Sequence, residues 1–182
     1  PLTPKHQALH AKMTDFAGYN MPLEYSGVRD EHLAVRERVG VFDVSHMGEF
    51  FLRGPKAFAL VQKITTNDVA KIDTTGKIQY TCMPNGKGDI VDDLLVYSMG
   101  TEEFMLVVNA ANIEKDWNWI AENNTDGVQM ENRSEQIALL AVQGPNATAL
   151  LQKLTPDNLS DIPFYNFKTG SMAGADNVIL SN

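Results

Sequence analysis

Cysteine is nearly missing from this chain: Cys82 stands alone, so no intrachain disulfide can form. Its place in an expected strand favours a buried structural thiol over a nucleophile. A reducing, cytoplasmic setting is the expectation. Basic residues are also outnumbered, 15 Lys and Arg against 23 Asp and Glu, for a formal net charge of -8. A nucleic-acid groove needs clustered positive charge, so the balance argues against such a partner. No apolar run is long enough to span a bilayer, and the first residues have no secretory pattern, so no membrane partner is expected. Runs of like charge are absent too, and the Asn-X-Ser/Thr sites at Asn123, Asn132, Asn146 and Asn158 fit chance occurrence.

What is present is a chain of 182 residues with 43% hydrophobic content, enough for one sizeable core or two small ones. Its most informative stretch runs from Pro84 to Tyr97. Asn85-Gly86 reads as a tight turn because both residues tolerate positive φ, so Tyr80 to Met83 and Ile90 to Tyr97 are expected to form a hairpin. On the second strand Val91, Asp93, Leu95 and Tyr97 share one face, and Ile90, Asp92, Leu94 and Val96 share the other. Both faces are mainly apolar, as in a central strand covered on both sides, and each carries one carboxylate. A buried carboxylate is costly unless paired, so at least one should meet a partner or a ligand. The competing reading is a solvated acid near a turn.

In chain order, Thr3-Pro4 is expected to cap and start a helix through about Lys12. His6 and His10 lie four apart on it, a metal-compatible spacing, but no acid or cysteine is near and an exposed helix face is expected instead. Phe16 to Pro22 is a short extended run, and Ser26 is expected to cap a helix through about Val39. His46 lies in Val41 to Gly48, where no clean period exists, and is read as a hydrogen-bonded structural histidine. From Glu49 the order is strand, helix, antiparallel strands, helix and strand, with Asn109 expected to cap the second helix. Ile113, Trp117 and Ile120 would form that helix's buried stripe. This is a ferredoxin-like order, an antiparallel sheet with its helices on one side.

One segment then recurs. Phe51 to Thr65 is echoed by Ala141 to Thr155, each a strand entering Gly-Pro and then a helix. The second copy stops after two more strand-like runs, and the chain starts at Pro1 without methionine, so a piece of a longer protein is expected. The expected division is 1–48 with 134–182 as one partial subdomain and 49–133 as a ferredoxin-like second subdomain.

Five runs together resemble one family. Phe16 to Pro22, Val41 to Gly48, Ile90 to Leu94, Val107 to Asp116 and Leu140 to Pro145 are similar, in that order, to the aminomethyltransferases, or T-proteins, of the glycine cleavage system. The resemblance implies an α+β folate-binding fold of two interlocked ferredoxin-like subdomains with antiparallel sheets, the second incomplete here. It implies a tetrahydrofolate-dependent transferase that receives an aminomethyl group on the dihydrolipoyl arm of lipoylated H-protein, releases ammonia and forms 5,10-methylenetetrahydrofolate. Carried over by position, Asp93 matches the catalytic aspartate, and Met47, Tyr80, Leu95, Tyr97 and Asn109 match positions lining the folate pocket. Asp92, facing the other way, is read as structural. No metal is implied. Where relatives often have Gly-Gly, this chain has Gly88-Asp89, a local change in a turn.

The alternative is a non-enzymatic folate-binding protein of the iron–sulfur assembly type, which shares the fold. An acidic interaction module is a third reading. A truncated interlocked pair would expose apolar surface, so self-association is expected, and the fragment is expected to turn over poorly if at all.

Overall fold

The computed structural model describes residues 2–182. Its first elements are α1 (Thr3–Ala8), β1 (Lys12–Phe16), β2 (Tyr19–Glu24), α2 (Val28–Glu37) and β3 (Gly40–Asp43). Next come β4 (Gly48–Arg53), α3 (Ala57–Ile64), β5 (Ile78–Pro84), β6 (Ile90–Gly100), β7 (Glu103–Val108), α4 (Ile113–Asn123) and β8 (Gln129–Asn132). The last are β9 (Leu140–Gln143), α5 (Ala147–Leu151), β10 (Phe167–Met172) and β11 (Ala175–Ser181). All the paired strands with a defined register run antiparallel. The α+β class with antiparallel sheets is therefore the one expected.

Two compact units emerge: residues 1–46, 138–161 and 170–178 in the first, and 47–137, 162–169 and 179–182 in the second. The second unit is built on a five-stranded sheet in the order β5-β6-β7-β4-β8. Strand alternation sends Phe50 and Leu52 of β4, Leu94 and Val96 of β6, and Phe104, Leu106 and Val108 of β7 to one face. There they bury against Ala57, Leu60, Val61 and Ile64 of α3 and Ile120 of α4. Each such side chain contributes about 1.5–3 kcal/mol by leaving water. Trp117 closes the edge of this core with its ring edge-on to Phe50, centroids 5.2 Å apart.

The first unit is assembled from two-stranded pieces, β1 with β2 and β3 with β9. A polar chain ties it together. The His6 ring nitrogens lie 2.8 Å from the Tyr25 hydroxyl and 3.0 Å from Asp43 Oδ2, and the Ser45 hydroxyl donates to Asp43 Oδ1 at 2.7 Å. His6 is thus buried in a network, correcting the exposed face expected for it, and α1 ends four residues earlier than expected.

Several local expectations fail for identifiable reasons. Leu2, not Thr3, precedes the first helical residue, and neither supplies a side-chain cap. Helix α2 starts after Gly27 because the Glu31 carboxylate accepts the backbone N–H groups of Tyr25, Ser26 and Gly27 at 2.6, 2.7 and 3.1 Å, doing the work assigned to Ser26. The β5–β6 connection is not a two-residue turn. Asn85 Oδ1 accepts from the N–H groups of Lys87 and Asp89, organising a longer loop in which Gly86 and Gly88 take positive φ. Ile90, at that loop, is exposed rather than buried. Cys82 is half-buried, not buried. Among the described residues His46 has no hydrogen-bond partner at its buried Nδ1 and instead packs against the rings of Phe16 and Tyr19, with centroids 5.3 and 6.2 Å away.

Candidate functional site

Strand β6 lies between β5 and β7, with Leu95 opposite Tyr80 on one side and Val107 on the other. Its even residues Asp92, Leu94 and Val96 are buried toward the helices. Its odd residues Asp93 and Leu95 are half-buried and Tyr97 is buried on the opposite face. The period-2 reading of the hairpin holds over this stretch.

On that second face three of the expected residues meet directly. The Tyr80 hydroxyl donates to Asp93 Oδ2 at 2.6 Å. Asn109 Nδ2 lies 3.3 Å from Asp93 Oδ1, 3.0 Å from the Asp93 carbonyl and 3.0 Å from Asp92 Oδ1. Asn109 therefore does not cap a helix: a 3-10 turn over Ala110–Asn112 follows it, α4 starts after Asn112, and its amide reaches back to β6. The hydrogen bond to Asp93 and the nearby negative charge raise the pKa of the Tyr80 phenol, keeping it a donor. Tyr97 packs on Phe167 with centroids 5.3 Å apart, and burial, reinforced by the charge of Glu49, raises its pKa. Met47 is half-buried and stands one residue before the Gly48–Val108 pair, as Asn109 stands one residue after it, so both lie at the same end of the sheet.

Chemically this is an anionic acid with lone pairs to spare beside a tyrosine ring that is 50% exposed and the apolar side chain of Leu95. Such a set fits a flat, N–H-bearing heterocycle: apolar surface for its faces and a carboxylate for an edge. A groove of about 430 Å³ lined in part by Ile90, Val91, Lys115 and Trp119 lies beside the start of β6, away from these groups.

Two features escaped the sequence. Glu49 on β4 pairs with Val107, so the row Glu49, Val107, Leu95, Tyr80 crosses the sheet on the Asp93 side. It is 2% exposed, neither oxygen has a hydrogen-bond partner among the described residues, and burial pushes its carboxyl up to about 7. A glutamate alternating with Phe51 on a strand was the available signal. The other is Asp116, inside the apolar stripe of α4 and fully buried. Burial, together with Asp92 beside it, raises its pKa.

The comparisons place this architecture in a family. Residues 2–182 match the model of the GCVT N-terminal domain, and the chain belongs to that family. Within it, the whole chain is 62% identical to proteins named aminomethyltransferase from Bacteroides fragilis and Bacteroides thetaiotaomicron, of which it covers 50%. A third, from Flavobacterium psychrophilum, is 55% identical over 99% of the chain, again across 50% of that protein. The chain thus spans about half the length of the curated relatives it matches. The crystal structure of glycine cleavage system aminomethyltransferase T from Bartonella henselae superposes with a TM-score of 0.81 at 34% identity, covering 94% of this chain and 47% of that one. A heterotetrameric sarcosine oxidase from Corynebacterium, at TM-score 0.54 and 20% identity over 83% of this chain and 75% of that one, shares the fold alone.

Proposed function

We propose that the protein is an aminomethyltransferase of the glycine cleavage system, taking the aminomethyl group from the dihydrolipoyl arm of H-protein, releasing ammonia and forming 5,10-methylenetetrahydrofolate in the cytoplasm. The observation that carries this reading is Asp93, held by Tyr80 and Asn109 on an apolar, aromatic sheet face, in a chain 62% identical to proteins named aminomethyltransferase.

Tetrahydrofolate supplies the nucleophilic nitrogen when bound. Asp93 would accept an N–H of that ring at the lone pairs left by its two partners and so would orient the nitrogen toward the donor carbon. Its negative charge offsets the positive charge that develops as the C–S bond breaks, more strongly as water is excluded. Tyr80 and Leu95 would flank the ring, Tyr97 and Met47 would extend the surface, and Asn109 fixes the carboxylate's rotamer. The relatives' greater length is consistent with further substrate contacts outside these residues.

In the protein expressed from its complete reading frame, Asp93→Asn is expected to fold with unchanged circular dichroism and to release ammonia from aminomethylated H-protein about 100-fold or more slowly. Near wild-type transfer would end the assignment. Tetrahydrofolate binding without any ammonia release by the unsubstituted protein would favour the non-enzymatic folate-binding alternative.

A further inference from the structure

We propose that Asp116 is a positioning residue for Asp93, acting through the Asp92 carboxyl and the Asn109 side-chain amide. The inference rests on the function proposed above and deepens it. Helix α4 turns Ile113, Trp117 and Ile120 toward the sheet, and Asp116 falls on the same stripe, fully buried where an apolar side chain would be ordinary. No N–H or O–H of the described residues reaches either of its oxygens. An unpaired carboxylate there would cost several kcal/mol, so the group must hold a proton or lose its place.

The group it meets is Asp92, 7% exposed, whose Oδ2 has no donor among the described residues until a proton is placed between the two carboxyls. Two buried carboxyls in contact lower both costs by sharing one proton, which pairs one oxygen of each, leaves a single negative charge on the pair and leaves the second Asp116 oxygen a neutral carbonyl acceptor. Burial works to raise Asp92, but hydrogen bonds from Asp116, Asn109, the Asp93 backbone and Asn112 outweigh it and hold Asp92 below its ordinary range. Asp116 moves the opposite way, so Asp92 carries the charge and Asp116 the proton. The other charged groups nearby are Asp93 on β6 and Lys115 on α4; Lys115 donates to the Val91 carbonyl at 2.6 Å.

The single charge has a consequence one residue away. Asp92 Oδ1 takes the Asn109 amide at 3.0 Å, and that same nitrogen reaches Asp93 Oδ1 at 3.3 Å. With Asp92 anionic, Asn109 cannot flip, because its carbonyl oxygen would then face two carboxylates. The amide donor is thereby aimed at Asp93. If Asp116 loses its proton, the pair carries two charges in a dry site and must separate, and Asn109 loses its anchor.

The test uses the protein expressed from its complete reading frame. Asp116→Leu removes the donor and is expected to lower kcat about 10- to 100-fold, the scale of a misplaced reacting group, with the KM for tetrahydrofolate changed less. Asp116→Asn keeps a donor to Asp92 that cannot ionise; it is expected to recover most of the rate and to lose any alkaline decline of kcat governed by the pair. In an Asp93→Asn background, Asp116→Leu should add almost nothing, as two residues acting through one contact do. Full additivity in that background, or an alkaline limb unchanged in Asp116→Asn, overturns the proposal. If Asp116→Leu does not fold, the Asp116→Asn pH profile still decides. A readout independent of turnover is the Asn109 side-chain NMR signal, which should shift as Asp116 titrates in the unsubstituted protein and not in Asp116→Asn. That signal separates the fates of the two ideas: a coupled shift without ammonia release refutes the function and not the coupling.

Discussion

The strand, Gly-Pro and helix segment occurs once in each unit, and the two copies share a backbone while differing in burial. Gly54 and Gly144 take nearly the same φ, 117° and 121°. Helix α3 over 57–64 corresponds to 147–154, where α5 tightens into a 3-10 turn for its last three residues. Yet Leu60 is 6% exposed and its counterpart Leu150 is 38%, while Ile64 is 2% and Leu154 is 49%. Among the described residues, every buried apolar side chain belongs to the second unit, and the first unit buries only His6 and Thr155. The motif therefore specifies a local path, and the sheet it lands on decides whether that path is driven by burial. Ala57, Leu60, Val61 and Ile64 of α3 join the core of a five-stranded sheet, whereas β1–β2 and β3–β9 of the first unit are two-stranded.

The sharpest way to break this contrast is to truncate the matched leucines. Leu60→Ala is expected to cost about 3 kcal/mol and Leu150→Ala under about 1 kcal/mol in chemical denaturation, since the cost of a cavity scales with burial. Equal losses would mean that the first unit has a core after all. The two glycines sharpen it in the opposite sense. A Cβ at Gly54 meets nothing within 4 Å, whereas at Gly144 it would lie 2.5 Å from the Val35 carbonyl oxygen and 2.7 Å from that of Arg38. Gly54→Ala should cost about 1–2 kcal/mol for backbone strain alone, and Gly144→Ala clearly more. The loosely buried unit is thus the more sensitive at this position.

Acids in the two units are predicted to respond to pH with opposite sign. Folded Glu49 keeps its proton to about 7 against an ordinary 4.5, so between those values the folded state binds more protons and stability falls as pH rises. The slope is at most about 1.4 kcal/mol per pH unit, and Glu49→Gln should flatten it in urea titrations over that window. For Asp43, burial opposes ionisation but hydrogen bonds from Ser45 and His6 outweigh it and lower the pKa below 3.8. Its stabilisation is present above that value and is lost as pH falls through the folded pKa, so Asp43→Asn should weaken the acid limb of the stability curve. The smallest expected effect is colloidal. Val41, Phe42 and Leu140 of the β3–β9 pair are exposed, and light scattering should show weak, concentration-dependent association that Phe42→Ser reduces.

The face-by-face reading of β6 was legible because strand periodicity is a property of the backbone: once residues 90–97 are extended, Asp92 and Asp93 must point apart. The Gly-Pro repeat was legible for a similar reason, positive φ after a strand being a local demand. Asn109 was misread as a cap because its neighbours do resemble a helix start; what outcompeted the cap was a pair of acids far away in sequence. Asn85 was read as half of a two-residue turn, but its side chain closes a longer loop through Lys87 and Asp89.

The sequence by itself determined the order of strands and helices in the second unit, the apolar faces that pack that unit, the acid on the sheet face opposite the helices, and the family. Only the tertiary structure decided that Asp116 on α4 meets Asp92 on β6, that Asn109 bridges Asp92 and Asp93, and that Glu49 is buried without a hydrogen-bond partner among the described residues. Periodicity is written in neighbouring residues and survives in any context. Which side chains meet across elements depends on register and helix placement, and those are set by the whole core at once.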